Sequence, residues 1–322
     1  MRAWIGAVGA IGAIGAIGAM GATGLPAVAR SAEVSAAQTV HVEPVPTERP
    51  AVELPILRQH TYRMAGKIRV LLIWVGRDDV GSGVITWKAA GENKAYELLI
   101  GSDPAKAPGQ LNKWGYLVEE VHGGASSVVG VISQDNEDQL SDVKEGLANK
   151  RGGRPFDTIR GRVNPGDAYA RVGTLYAPST LTYRDAPAVL KLVLEDRSKL
   201  LKRLGRPGGV RAGFLTSLIE LVEGTVRAPR NAKPSAVKIP YIHGDRMYEL
   251  RLLDSTRLSR FERDGRTFDD VIRGRFETAR AGDRSGTRFE LVYGASGPLA
   301  GIPILVSYQP KWWLQVDLVL QR

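Results

Sequence analysis

The last apolar segment of the chain constrains the fold more than any other feature. Trp312, Leu314, Val316, Leu318 and Leu320 fall on one face, and Gln315, Asp317 and Gln321 fall on the other. Period two of this kind is the signature of a strand with one buried and one wet face. The same alternation recurs in Met247–Leu253, Arg288–Tyr293 and Ile302–Tyr308, with Pro303 at a strand start or edge. It also recurs nearer the N-terminus. Ile68–Val75 lies between Gly66 and Gly76, and Gly83–Trp87 follows across a polar connection at 77–81 containing Asp78 and Asp79. Further candidates are Tyr96–Ile100, Trp114–Val118, Ser127–Ile132, Thr158–Val163 and Ala168–Tyr176. Close spacing without crossover helices requires antiparallel pairing.

A helical stretch interrupts the strands. Asp185 is a fair N-cap, and Leu190, Val193, Leu194, Leu201 and Leu204 share one apolar face up to a stop at Gly205 and Pro207. A second helix is expected from Arg211 to Val222, ending at Gly224. Together they read as an αα-hairpin that must lay its apolar side on a sheet. A short helix is also expected over 141–149, with Asp142 and Glu145 at capping-box spacing. The fold class is therefore α+β: mostly antiparallel curved β-sheet, one or two sheets, with an αα-hairpin insert.

The N-terminus reads as an address. Met1–Ala29 carries one charge, Arg2, then a Gly-Ala-Ile stretch and Leu25-Pro26-Ala27-Val28-Ala29. That is a Sec-type signal peptide cut after Ala29, sending the chain to the periplasm or outside the cell, with no spanning segment left after cleavage. The expected organisation is a signal peptide over 1–29, a Pro-rich tether over 30–57, a β-rich part over 58–180, the helical insert over 181–230, and a C-terminal antiparallel part over 231–322. The last three segments are compatible with one domain.

Composition then removes chemistries. None of the 322 residues is Cys, so disulfides, thiolate nucleophiles, Cys-bound zinc and iron–sulfur clusters are all excluded. No phosphate-binding glycine motif opens a helix, and no His-pair metal motif occurs, so neither a cofactor nor a metal is expected. Asp135, Glu137, Asp138 and Asp142 lack the glycine of a calcium loop and read as an exposed acidic loop. The formal charge of +10 suggests nucleic acid. The arginines of 245–290, however, are nearly matched by acids, which is the pattern of an ion-paired surface. Nucleic acid is therefore not an expected partner. The unmatched cations gather near the helical insert, where Lys199, Lys202, Arg203 and Arg206 form a candidate face for an anion or an envelope partner.

The segment Gly297-Pro298-Leu299-Ala300-Gly301-Ile302-Pro303-Ile304, followed by Tyr308-Gln309-Pro310-Lys311-Trp312-Trp313, resembles a group of secreted bacterial β-sheet proteins of unknown function. In those proteins a late strand carries G-x-P-V before a terminal apolar strand. The stretch from Gly76 to Tyr96 is similar in character. The resemblance covers about a third of the chain, brings no catalytic residues, and implies a curved sheet comparable to periplasmic lipid-carrier half-barrels.

A non-catalytic binding protein is the reading that follows. Trp87, Tyr96, Trp312 and Trp313 are the candidates for a concave surface holding a lipid-like or glycan ligand, with the helices as lid or filling. Sheet-core packing is the ordinary alternative for the same aromatics. An envelope scaffold acting through the basic helical face is the second reading. A serine hydrolase using Ser126 with His122 is a distant third, because the nucleophile elbow is missing.

Overall fold

The computed structural model describes residues 54–70, 73–107, 110–133, 154–178, 180–195, 201–205, 208–229, 237–311 and 314–321. The leader, nearly all of the tether, the helix expected over 141–149 and the acidic loop at 135–142 lie outside these residues.

Among the described residues, fourteen strands form one antiparallel sheet. The first seven are β1 (Ile56–Val70), β2 (Ile73–Ala90), β3 (Asn93–Ser102), β4 (Trp114–His122), β5 (Ala125–Ser133), β6 (Arg154–Asn164) and β7 (Asp167–Ala177). Helix α1 (Ala186–Glu195), strand β8 (Lys202–Gly205) and helix α2 (Phe214–Arg227) follow. The chain then returns through β9 (Lys238–His243), β10 (Arg246–Arg263), β11 (Arg266–Arg280), β12 (Thr287–Gly294), β13 (Pro303–Lys311) and β14 (Leu314–Leu320). Spatial order runs from β8 down to β1, crosses to β14, and continues down to β9. Two meanders are thus joined at the centre by the β1–β14 pair, with Tyr62 opposite Leu320 and Ile68 opposite Leu314. Two-residue turns carry much of this topology. At Asp264-Gly265 both φ angles are positive (50° and 71°), which matches the right-handed twist of the hairpin.

The sheet curls. Ile242 of β9 approaches β6 closely enough that a Cβ on Gly161 would lie 3.4 Å from its side chain. Arg211 adds a parallel bridge to Tyr241, and the next amide, Ala212 N–H, donates to Ser126 Oγ at 3.1 Å. The segment before α2 therefore ties strands far apart in the spatial order, and α2 lies inside the resulting trough. Its Phe214, Leu215, Leu221 and Val222 join the main core with Tyr62, Leu117, Phe276 and Leu291. On the outer face, Ala186, Val189 and Leu190 of α1 pack with Trp114, Val131 and Phe156 in a separate cluster.

The insert is not an αα-hairpin. α1 ends at Glu195, and Lys202–Gly205 is an edge strand paired with Ala168–Ala170 of β7. Leu204 packs beside Ala168 and Ala170, so strand pairing prevails over the helical phase that placed it with Leu201. α2 does not stop at Gly224 but continues to Arg227. The strand expected over 68–75 is two strands: β1 ends at Val70, and β2, paired antiparallel with it, begins at Ile73. Asp78 and Asp79 accordingly sit within β2. Asp79, at φ 58°, lies where the register slips between Met64 and Gly66. β1 also starts at Ile56, two residues inside the expected tether, and Leu54 is already buried.

Candidate functional site: the concave face

Register places a row of side chains across the trough. Arg58 pairs with Trp87, Trp87 with Tyr96, Tyr96 with Glu119, and Glu119 with Val128. Directly opposed residues share a face, so Trp87 and Tyr96, two of the expected ligand-binding residues, do come together on the concave side. They are packed rather than open, at 7% and 8% exposure. The Arg58 guanidinium lies 5.6 Å from the Trp87 ring, and His60 meets that ring edge-on at 5.7 Å. Burial and the Arg58 charge hold the His60 pKa below its ordinary value. Burial, with Glu223 and Glu119 nearby, pushes the Tyr96 hydroxyl up to about 12. Trp312 and Trp313 lie outside the described residues.

Glu119 is the residue that the sequence reading missed. Its carboxylate is fully buried and accepts from Leu215 N–H (2.7 Å), Thr216 N–H (2.7 Å) and the Thr216 hydroxyl (2.8 Å). These donors open α2, whose own N-cap, Gly213, has no side chain to serve them. A Cβ on Gly213 would sit 2.2 Å from Glu119 Oε1, so the glycine makes room for a carboxylate borrowed from β4. Burial pushes the Glu119 pKa up, against the three donors that pull it down. One signal was available: Glu119 interrupts the inward alternation between Leu117 and Val121.

Between the second half of α2 and strands β9–β11 the trough holds a groove of about 820 Å³. Leu221, Ile239, Leu252 and Ile272 form an aliphatic floor continuous with the main core. Arg211, Arg227, Lys238 and Arg257 stand around it. Each has a carboxylate partner: Glu220 at 2.7 Å from Arg211, Glu223 beside Arg227, Glu249 at 2.8 Å from Lys238, and Asp270 at 2.6 Å from Arg257. At the groove wall the Thr225 hydroxyl bonds Tyr293 OH at 2.6 Å, and burial lifts the Tyr293 pKa to about 12.

The remaining expectations fare differently. Lys202 and Arg203 are exposed on edge strand β8 rather than on a helix, and Arg203 pairs with Asp167 at 2.6 Å. Lys199 and Arg206 lie outside the described residues. Ser126 lies opposite Val121 and is buried toward the trough, where it accepts from Ala212. His122, one residue on from Val121, falls on the other face, where its Nε2 meets Glu120 at 3.3 Å. The proposed nucleophile and base are therefore not a pair. Among the described residues, no cluster of His, Asp and Glu is disposed to hold a metal, and no helix is long and apolar enough to cross a membrane. No protein-family model, curated protein or solved structure matches this chain.

Proposed function

We propose that this chain is a non-catalytic binding protein, exported by its leader, that takes a lipid-like amphiphile into the groove between α2 and β9–β11. The observation that carries the reading is an aliphatic floor beneath a rim of charged groups, in a volume of about 820 Å³. Small-molecule sites are about 300–1,000 Å³ and mostly apolar, with few polar groups. The described floor is aliphatic rather than aromatic, which favours an acyl chain over a glycan, since sugars are usually held on aromatic faces. The rim ion pairs already satisfy one another, so the groove can stand open to water without stranding a charge. Arg227, with 74% of its side chain exposed, is the cation best placed to exchange its carboxylate for a headgroup.

A titration of the purified mature chain, beginning at Arg30, with oleate and with a lysophospholipid tests this. Saturable one-to-one binding is expected. Ser255→Trp, which fills the groove from a half-buried lining position, is expected to weaken binding at least tenfold without lowering Tm. Absence of saturable binding, or equal binding by the Trp variant, overturns the reading.

A further inference from the structure

We propose that α2 is the moving wall of this groove: its first turn is seated on Glu119, and its last turn, Thr225–Arg227, swings at Gly224 to widen the groove for ligand. The inference rests on the groove reading for its ligand and adds how the groove widens. The two halves of α2 are held differently. In the first turn Phe214, Leu215, Thr216 and Ser217 are all buried, so every side of the helix is covered. Glu119 binds two of its backbone amides, and the preceding residues are tied to β9 and to Ser126. In the second half only Leu221 and Val222 are buried, while Gly224 and Arg227 are exposed. A rod gripped on all sides at one end and on one side at the other moves at the second end.

Gly224 supplies the weak point. Glycine inside a helix lowers its stability relative to alanine. That cost is commonly offset where a close neighbour forbids a side chain. Here a Cβ would meet nothing within 4 Å, so packing does not ask for glycine. The residue instead lines the groove, one position before Thr225, whose hydroxyl reaches Tyr293 across to β12. Moving the wall requires breaking that hydroxyl pair, and leaves Leu221 on the floor and the Glu119 seat untouched.

The absence of cysteine makes the test direct, because a spin-label pair can be introduced without a competing thiol. The full mature chain carrying Pro229→Cys, just beyond the last turn of α2, and Leu253→Cys, both at exposed positions, reports the separation of the α2 end from β10 by pulsed electron resonance. The experiment uses oleate as probe and native mass spectrometry to count bound oleate. The free chain is expected to show two distances, and oleate to select one. Gly224→Ala is expected to narrow the free distribution, raise Tm, and slow oleate uptake about fivefold, the factor matching the glycine–alanine helix preference. One unchanged narrow distance with oleate bound, or wild-type uptake by Gly224→Ala, overturns the moving wall and leaves the groove reading standing. Two distances with no oleate bound keep the moving wall and retire the groove reading. One narrow distance with no oleate bound overturns both.

Discussion

Two of the carboxylates buried in the sheet, Glu119 and Asp317, solve their desolvation in different ways. Glu119, on the concave face, is met by neutral donors: two amides opening α2 and the Thr216 hydroxyl. Asp317, on the convex face of β14 and 1% exposed, is met by charge. Lys67 lies at 3.2 Å and Arg263 at 2.9 Å, the latter reaching over from the tip of the β10–β11 hairpin, while Ser307 and Gln315 donate as well. Burial pushes both pKa values up. At Glu119 it prevails, whereas at Asp317 the hydrogen bonds and cations outweigh it and hold the carboxyl below its usual range. Burial alone therefore does not set the titration of a carboxylate: at Asp317 the hydrogen bonds from Gln315 and Ser307, joined by Lys67 and Arg263, reverse its sign.

The largest expected effect is at Asp317. Asp317→Ala takes from Lys67 its carboxylate at 3.2 Å, leaves Arg263 with Asp264, and is expected to cost about 3 kcal/mol in denaturant unfolding. A cost under about 1 kcal/mol would break the contrast, showing that water serves the cations as well as Asp317 does. Glu119→Ala strands two helix amides and should cost about 2 kcal/mol. Gly213→Ala should be at least as damaging, because its Cβ would strike the carboxylate. In the double variant the clash is gone, so the combined loss should fall well short of the sum. Additive losses would mean that Glu119 and Gly213 are not coupled.

The pH dependence separates the two sites by sign. The folded pKa of Glu119 is raised, so its contribution is full below the unfolded value of about 4.3 and fades as pH rises through the folded one. Asp317 is lowered, so its contribution is full above about 3.9 and is lost as pH falls. Stability of the wild type relative to Glu119→Gln should decline with rising pH, and relative to Asp317→Asn should increase. Parallel slopes would remove the distinction. The smallest effect is at His243, a half-buried ring edge-on to Tyr248, with its pKa lowered to about 4 by burial. Its neutral form is favoured by folding, so stability is retained above about 6.5 and falls on the order of 2 kcal/mol as pH drops towards 4, allowing for partial exposure. His243→Phe should flatten that limb of the profile.

How much of this was legible varied with the range of the cause. The alternation in β14, β10 and β12 is local, and it predicted strands that the sheet contains. The near-cancelling arginines and acids of 245–290 likewise became the pairs Arg257–Asp270, Arg275–Asp254 and Arg288–Glu277. The division of 68–75 between β1 and β2 was hidden because the apolar run carries no Gly, Pro, Asn or Asp to announce it. The edge strand at 202–205 was hidden because Leu204 suits a helix face and a strand face alike, and only the neighbouring β7 chooses between them.

By itself the sequence determined the antiparallel class and the disulfide-free core, since alternation and composition are properties of short stretches of chain. Only the tertiary structure decided that one sheet curls around a single helix, that Glu119 is spent as that helix's cap, and that the open groove lies beside α2 rather than over Trp87. Those outcomes depend on residues about a hundred positions apart, such as Glu119 and Leu215, meeting across the trough. No local pattern in the chain records such a meeting.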